Sequence, residues 1–313
     1  MAEDSTSKPP DPGRILDHNG EPLEEEVDLF HDPPADIGEI QTAHSALKKS
    51  EKPRSRRLQG AMVGGSGLLG ALVGMVVVWL FSVDSSFLVA LWPLAGGGFG
   101  ALAGWGLASF SHEVTYVGDK GMAQISCAGA RERFHTDHEL LFKDAATLRT
   151  RVYAHYTNNV YVRTDYSYEW SDASGGRLLK IAGTHYSADN NPASGSPFHY
   201  ANSAERSWTV HLLERAEQQL KSHGRVSFPL KDGGGVAVGE GSLWIQIDGE
   251  SHRLDSQEIG SIDILGGTFQ VRSTEAHEGW FRRRGIYEFD YADLANAKLF
   301  LITLERLLGF GLR

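Results

Sequence analysis

The sequence contains one cysteine, Cys127, in 313 residues. An intrachain disulfide is therefore excluded, and a lone thiol suits a reducing compartment. An N-terminal secretory signal is not expected either, because the first apolar run begins only at residue 61, behind a long polar stretch. Basic residues are almost missing from the first 47 positions. Lys8 and Arg14 stand there against twelve Asp and Glu, a local balance of -10 that equals the net charge of the whole chain. Six prolines interrupt the same stretch, and large apolar residues are few. Such a composition buries too little surface to offset ordering entropy, which predicts a disordered acidic tail over residues 1–47. Within it, "VDLFHD" around Leu29 and Phe30 is the candidate partner motif, and "ADIGEIQTAHSALKK" reads as a short helix leading onward.

Charge is absent altogether from Ala61 to Val83. At the rise of an α-helix, those residues reach about 34 Å, enough to cross a hydrocarbon core of about 30 Å. A second uncharged run, from Ser85 to Ser111, follows directly after Asp84. The pair predicts a transmembrane helical hairpin over 58–111, with spans at about 61–83 and 85–110. The first run contains Gly65, Gly67 and Gly70, which spell G-x-G-x-x-G. A dinucleotide-binding turn needs a buried strand before it and an amphipathic crossover helix after it. Here a basic, proline-broken run precedes the glycines and no polar face follows them. The spacing of four fits helix packing instead. Gly60 with Gly64, Gly70 with Gly74, and the row Gly96, Gly100, Gly104 and Ala108 form smooth stripes where helix backbones can approach closely.

Lys48, Lys49, Lys52, Arg54, Arg56 and Arg57 fall in or beside the basic juxtamembrane segment, 48–57, whereas the turn carries only Asp84. Positive residues remain on the cytoplasmic side. The expected location is thus the cell (inner) membrane, multi-pass, with both termini cytoplasmic.

From His112 onward the sequence is of ordinary globular character and contains one plan twice: short strands, then a helix. HEVTYV, MAQISC, RERFHT, LRTRVYAHY, VYVRTDYSYEW and RLLKIAGTH read as strands, with turns at Asn158-Asn159 and Ser171 to Gly176. A helix is predicted from about Ala204 to Ser222, with Asn202 or Ser203 as cap and Gly224 as stop. The second unit offers SLWIQI, SHRL, SIDIL, TFQVRS and GIYEF, with hairpin signals at Asp248-Gly249 and Gly266-Gly267. Its helix is expected from about Ala292 to Leu308, ended by Gly309.

This order of elements, and endings such as "YADLANAKLFLITLERLLG", resemble bacterial membrane proteins with pleckstrin-homology-like (PH-like) domains of unknown function. The resemblance covers residues 112–313. It implies an α+β fold with a membrane anchor: a two-helix transmembrane hairpin followed by two PH-like β-sandwich or barrel units, 112–228 and 229–313, each closed by a C-terminal helix. In phosphoinositide-binding members, the loop between the first two strands carries Lys and Arg. Here that loop has only Lys120 in the first unit and, at Val238-Gly239-Glu240-Gly241, no basic residue in the second. Inositol phosphate binding is not expected.

Residue types that carry chemistry are sparse. His135, Asp137, His138 and Glu139 in "FHTDHE" offer a single His-x-x-His without a matched second pair, so the stretch reads as a solvated loop rather than a metal site. Ser194 and Ser196 lie near His199 in "NPASGSPFHY", but outside any strand-turn-helix elbow, and that stretch is also read as a loop. No cofactor, metal or nucleic acid is expected. "GWFRRRG" places Trp280 and Phe281 beside Arg282, Arg283 and Arg284, a candidate contact with anionic lipid headgroups or a partner.

Two functional readings follow. One is a membrane-anchored, non-enzymatic adaptor or scaffold that self-associates or joins other membrane proteins through its glycine-rich helices. The other is a membrane-bound enzyme with a site between the soluble units, using His135, His138 or His199.

Overall fold

The computed structural model describes residues 15–49, 56–80, 86–108, 111–128, 134–189, 191–278 and 283–310. Strand β1 (Ile40–Ser45) is followed by helices α1 (Arg56–Leu80) and α2 (Ser86–Ala108). Only then does the chain return as β2 (Ser111–Gly118), antiparallel to β1 with Ser45 opposite Val114 and Ile40 opposite Gly118. β3 (Gly121–Ala128) and β4 (Phe134–Leu141) complete a four-stranded sheet in sequence order. β5 (Thr147–Thr157), β6 (Val160–Ser171) and β7 (Arg177–His185) form a three-stranded sheet that leads into α3 (Pro197–His223). The order then recurs. β8 (Arg225–Pro229), β9 (Gly235–Gly239), β10 (Ser242–Ile247) and β11 (Glu250–Asp255) form four strands, β12 (Ile259–Leu265), β13 (Thr268–Glu278) and β14 (Arg283–Asp290) form three, and α4 (Ala297–Leu308) ends the body.

This architecture corrects the expected one. The strands make four separate antiparallel sheets, not two barrels. The helix pair does not precede a soluble domain that starts at residue 112; it interrupts the first sheet between β1 and β2. Among the described residues, one stretch, Gly60–Leu80, is long and apolar enough to cross a membrane. Nor does each helix close its own unit. α3 packs on β2, β7 and β8, and α4 on β5, β8 and β9. One core runs through both halves, from Val117, Met122 and Trp170 through Trp208 to Phe228, Phe269 and Phe300.

The acidic N-terminal segment is also corrected. From residue 15 onward it is packed. Ile15, Ile37 and Ala43 meet Val114, Tyr116, Ala123 and Ile125 on one face of the β1–β4 sheet, while Val117 and Met122 turn to the main core on the other. Composition fails here because the missing apolar surface is supplied by strands more than sixty residues away. The candidate motif residues Leu29 and Phe30 pack against this second cluster, and Phe30 stacks on Phe134 at 6.0 Å. The helix expected in "ADIGEIQTAHSALKK" is a short 3-10 turn, Ala35–Ile37, followed by β1.

Local signals placed many elements. Asn158-Asn159 (φ 52° and 62°), Asp248-Gly249 (52° and 80°) and Gly266-Gly267 (58° and 88°) all form two-residue turns with both central φ positive, as tight hairpins require. α3 begins before the expected Ala204, at Pro197. Ser196 caps it by accepting the Phe198 N–H, and proline occupies the first turn, where its missing donor costs nothing. α4 begins later than the expected Ala292, because Tyr291–Asp293 form a 3-10 turn and Asn296, at φ 55°, is the N-cap.

Candidate functional site

α1 and α2 lie antiparallel and touch along their glycines. A Cβ on Gly70 would overlap the carbonyl oxygen of Gly96, and one on Gly96 would overlap that of Gly70. A Cβ on Gly74 would sit 2.5 Å from the Trp92 carbonyl oxygen and 2.9 Å from the Pro93 Cα. Gly100 is pressed in the same way on the Ser66 carbonyl, and Gly104 on the Ser66 side chain. Only glycine permits this separation. Ser66 turns its hydroxyl back to the Met62 carbonyl oxygen at 2.6 Å, so that hydroxyl is satisfied within α1. Gly60 and Gly64 face open space instead. Ala108 is the last residue of α2, and its side chain lies outside the described residues. With the glycines inside, the large apolar side chains point out. Trp79 and Phe99 are 78% and 76% exposed, and Leu68, Leu69, Leu94, Leu102 and Trp105 are also exposed.

A buried polar network lies where the N-terminal segment docks between β1 and α3. The His18 ring is buried, with Nδ1 2.8 Å from Thr42 Oγ1 and Nε2 2.9 Å from Thr115 Oγ1. Thr42 Oγ1 in turn lies 2.7 Å from Ser203 Oγ, and Arg206 donates to the His18 carbonyl oxygen at 2.9 Å. Beside it, Asp17 Oδ1 accepts the His18 N–H and lies 3.1 Å from His44 Nδ1, while Ser194 Oγ donates to Asp17 Oδ2. Burial pushes the His18 pKa down to about 3 and keeps the ring neutral. For Asp17, burial acts to raise the pKa, but hydrogen bonds from His44 and Ser194 outweigh it and hold the carboxyl at about 2. A cavity of about 360 Å³ opens beside Asp17, His44 and Ser194. Its geometry is that of a latch. Ser194 engages the carboxylate rather than the imidazole, so His44 is not placed to take its proton.

The other predicted residues are scattered. "FHTDHE" is strand β4, not a loop; His135 stands opposite Ser126 and His138 opposite Gln124, with a bulge at Asp137 between them that leaves both histidines on one face of the sheet. His138 Nε2 lies 3.2 Å from the Tyr200 hydroxyl, and burial lowers its pKa. Ser126 donates to Asp137 at 3.0 Å. His199 is buried, with Nε2 2.8 Å from the Pro192 carbonyl oxygen. Among the described residues, no group of three or more His, Cys, Asp and Glu could hold a metal. Trp280, Phe281 and Arg282 lie outside the described residues. Arg283 and Arg284 open β14, opposite Glu278 and His277.

Between the two halves, a cleft of about 540 Å³ is lined by β5, β6, Gly266, Gly267 and Asp290 to Ala292. His155 Nε2 pairs with Asp165 Oδ2 there at 2.7 Å. His135, His138 and His199 do not line it. The polar cluster around His18 escaped the sequence reading, although "DHNG" carried a turn signal: Asn19 Oδ1 accepts the Glu21 N–H, and Gly20 has φ 92°.

The chain matches no protein-family model and no curated protein sequence.

Proposed function

We propose that the protein is a membrane-anchored, non-enzymatic scaffold, held by the α1–α2 pair in the cell membrane, with its body on the cytoplasmic face. One observation carries this reading: the helix pair hides its glycines and exposes a belt of Leu, Val, Phe and Trp. In water such a belt is an aggregation hazard; in hydrocarbon it is the expected outer surface. The pairing of β1 with β2 gives further support. Both chain ends of the helix pair meet in one sheet, so the pair must leave and return on the same side of a bilayer. The basic residues before α1 favour the cytoplasmic side. Partners are the bilayer itself and other membrane proteins or a second copy. Gly60 and Gly64, which no neighbour covers, leave a smooth place for a further helix.

Compartment-sensitive reporters fused after Arg313 and inserted at Asp84 test the topology. The expected result is a cytoplasmic signal at Arg313 and an extracytoplasmic one at Asp84. The same compartment at both sites, or a chain released from membranes by alkaline carbonate, would overturn it.

A further inference from the structure

We infer that the tip of the β5–β6 hairpin rests in the headgroup region of the bilayer that holds α1 and α2. The inference depends on the anchored reading above and adds a second contact to it. The connections of the first half separate to two ends. At one end, Lys120 donates its backbone N–H to Ile37, Phe142 donates to Lys120, and Ala146 donates to Ser171. This gathers the β2–β3, β4–β5 and β6–β7 connections away from the helices. At the other end, the chain leaves β1 for α1 and returns from α2 into β2. The segment after β7 is tied to that end: His185 lies 5.0 Å from Phe198 between ring centroids, and Ser194 binds Asp17 beside His44, which stands opposite Thr115 in the sheet.

β7 ends at His185, opposite Thr164. Beyond that pair, β5 and β6 continue without a third strand for about four residues, roughly 13 Å, toward the turn at Asn158-Asn159. What this extension exposes is not polar. Tyr156 and Val160 are 63% and 66% exposed, Val162 is also exposed, and Tyr186 and Phe134 expose aromatic rings at the same end. A bulge at Val162 interrupts the alternation, and Tyr161 turns its hydroxyl back to Thr164 and the His185 carbonyl oxygen, where the core stops. Tyrosines with apolar neighbours suit the membrane–water interface, where a ring is half in hydrocarbon and its hydroxyl remains wet. The extension and the apolar belt of the helices belong to one continuous membrane-facing end.

The test uses the full chain with single cysteines carrying an environment-sensitive fluorophore, reconstituted in phosphatidylcholine vesicles containing nitroxide-labelled lipid. Cys127 is buried, so the parent chain serves as the labelling blank. Labels go on V160C and, separately, on Y156C at the tip, on L69C in α1, and on A173C in the turn at the far end. The expected result is quenching of both tip labels by nitroxide near the headgroup, quenching of L69C by nitroxide deep in the chains, and none at A173C. Quenching at L69C without quenching at either tip position would overturn the hairpin contact and leave the anchor intact. No quenching at L69C would sink the anchored reading itself. A blue-shifted but unquenched tip label would assign the tip to a protein partner and overturn the lipid contact.

Discussion

Gly70 and Gly96 face each other so closely that a methyl group on either would overlap the other's carbonyl oxygen. The obstacle is backbone, which cannot rotate away, so the helices themselves would have to separate. Gly70→Ala or Gly96→Ala is expected to cost on the order of 1–3 kcal/mol through overpacking. Gly64→Ala, with nothing within 4 Å, should cost little. Thermal stability in mild detergent, followed by size-exclusion profile, checks the contrast. If all three variants behaved alike, the seam would not be the contact that holds the pair.

Asn296 stitches the two halves together. Its Oδ1 accepts both the Trp208 Nε1–H and the Leu148 N–H at 2.9 Å, and its own N–H donates to the Leu148 carbonyl oxygen at 2.7 Å. It also holds φ at 55°, where asparagine is tolerated and alanine is strained. Asn296→Ala would strand two donors, at about 1–3 kcal/mol each where they stay dry, and would add about 1 kcal/mol of backbone strain. Asn296→Gly removes the acceptor but not the conformational tolerance, and Asn296→Asp keeps both. Denaturant midpoints should fall in the order wild type, Asp, Gly, Ala. A glycine variant as stable as wild type would show that the hydrogen bonds contribute nothing net.

What the sequence made legible was local. Glycine spacing marked the faces of α1 and α2, dipeptides such as Asp248-Gly249 marked hairpins, and Gly224 and Gly309 marked helix ends. Pairing across distance was not legible. β1 finds its partner only after the two helices α1 and α2, and the acidic composition around it argued for disorder. β8 and β9 were missed because "RVSFP" and "GVAVG" are short and the second is built of small residues. The start of α3 was available in Ser196-Pro197 but lay inside a stretch read as a loop. The polar latch depended on side chains from residues 17, 44, 115, 194 and 203, which no spacing rule brings together.

That latch makes the protein sensitive to acid. His18 is neutral when folded, with its pKa lowered to about 3 by burial, whereas in an unfolded chain it titrates near 6.5. Between those values the unfolded state binds a proton that the folded state does not. Stability should therefore be complete above about pH 7 and decline as pH falls, by up to about 1.4 kcal/mol per pH unit for this one group. Asp17 adds its own loss only as pH drops from about 3.9 toward 2, because its folded pKa is also lowered. From about pH 6.5 to 4 the loss comes from histidine, and Glu113 and Glu205, whose pKa values burial raises, offset part of it. His138 and His211, also lowered by burial, contribute there in the same direction as His18. His18→Gln should be less stable at neutral pH, since it cannot reach both Thr42 and Thr115, yet its stability should fall less steeply through this window. Urea unfolding at several pH values, with limited proteolysis of residues 15–49 as the local readout, measures both effects. An unchanged slope in His18→Gln would mean that acid acts elsewhere and that the docked N-terminal segment is not its point of failure.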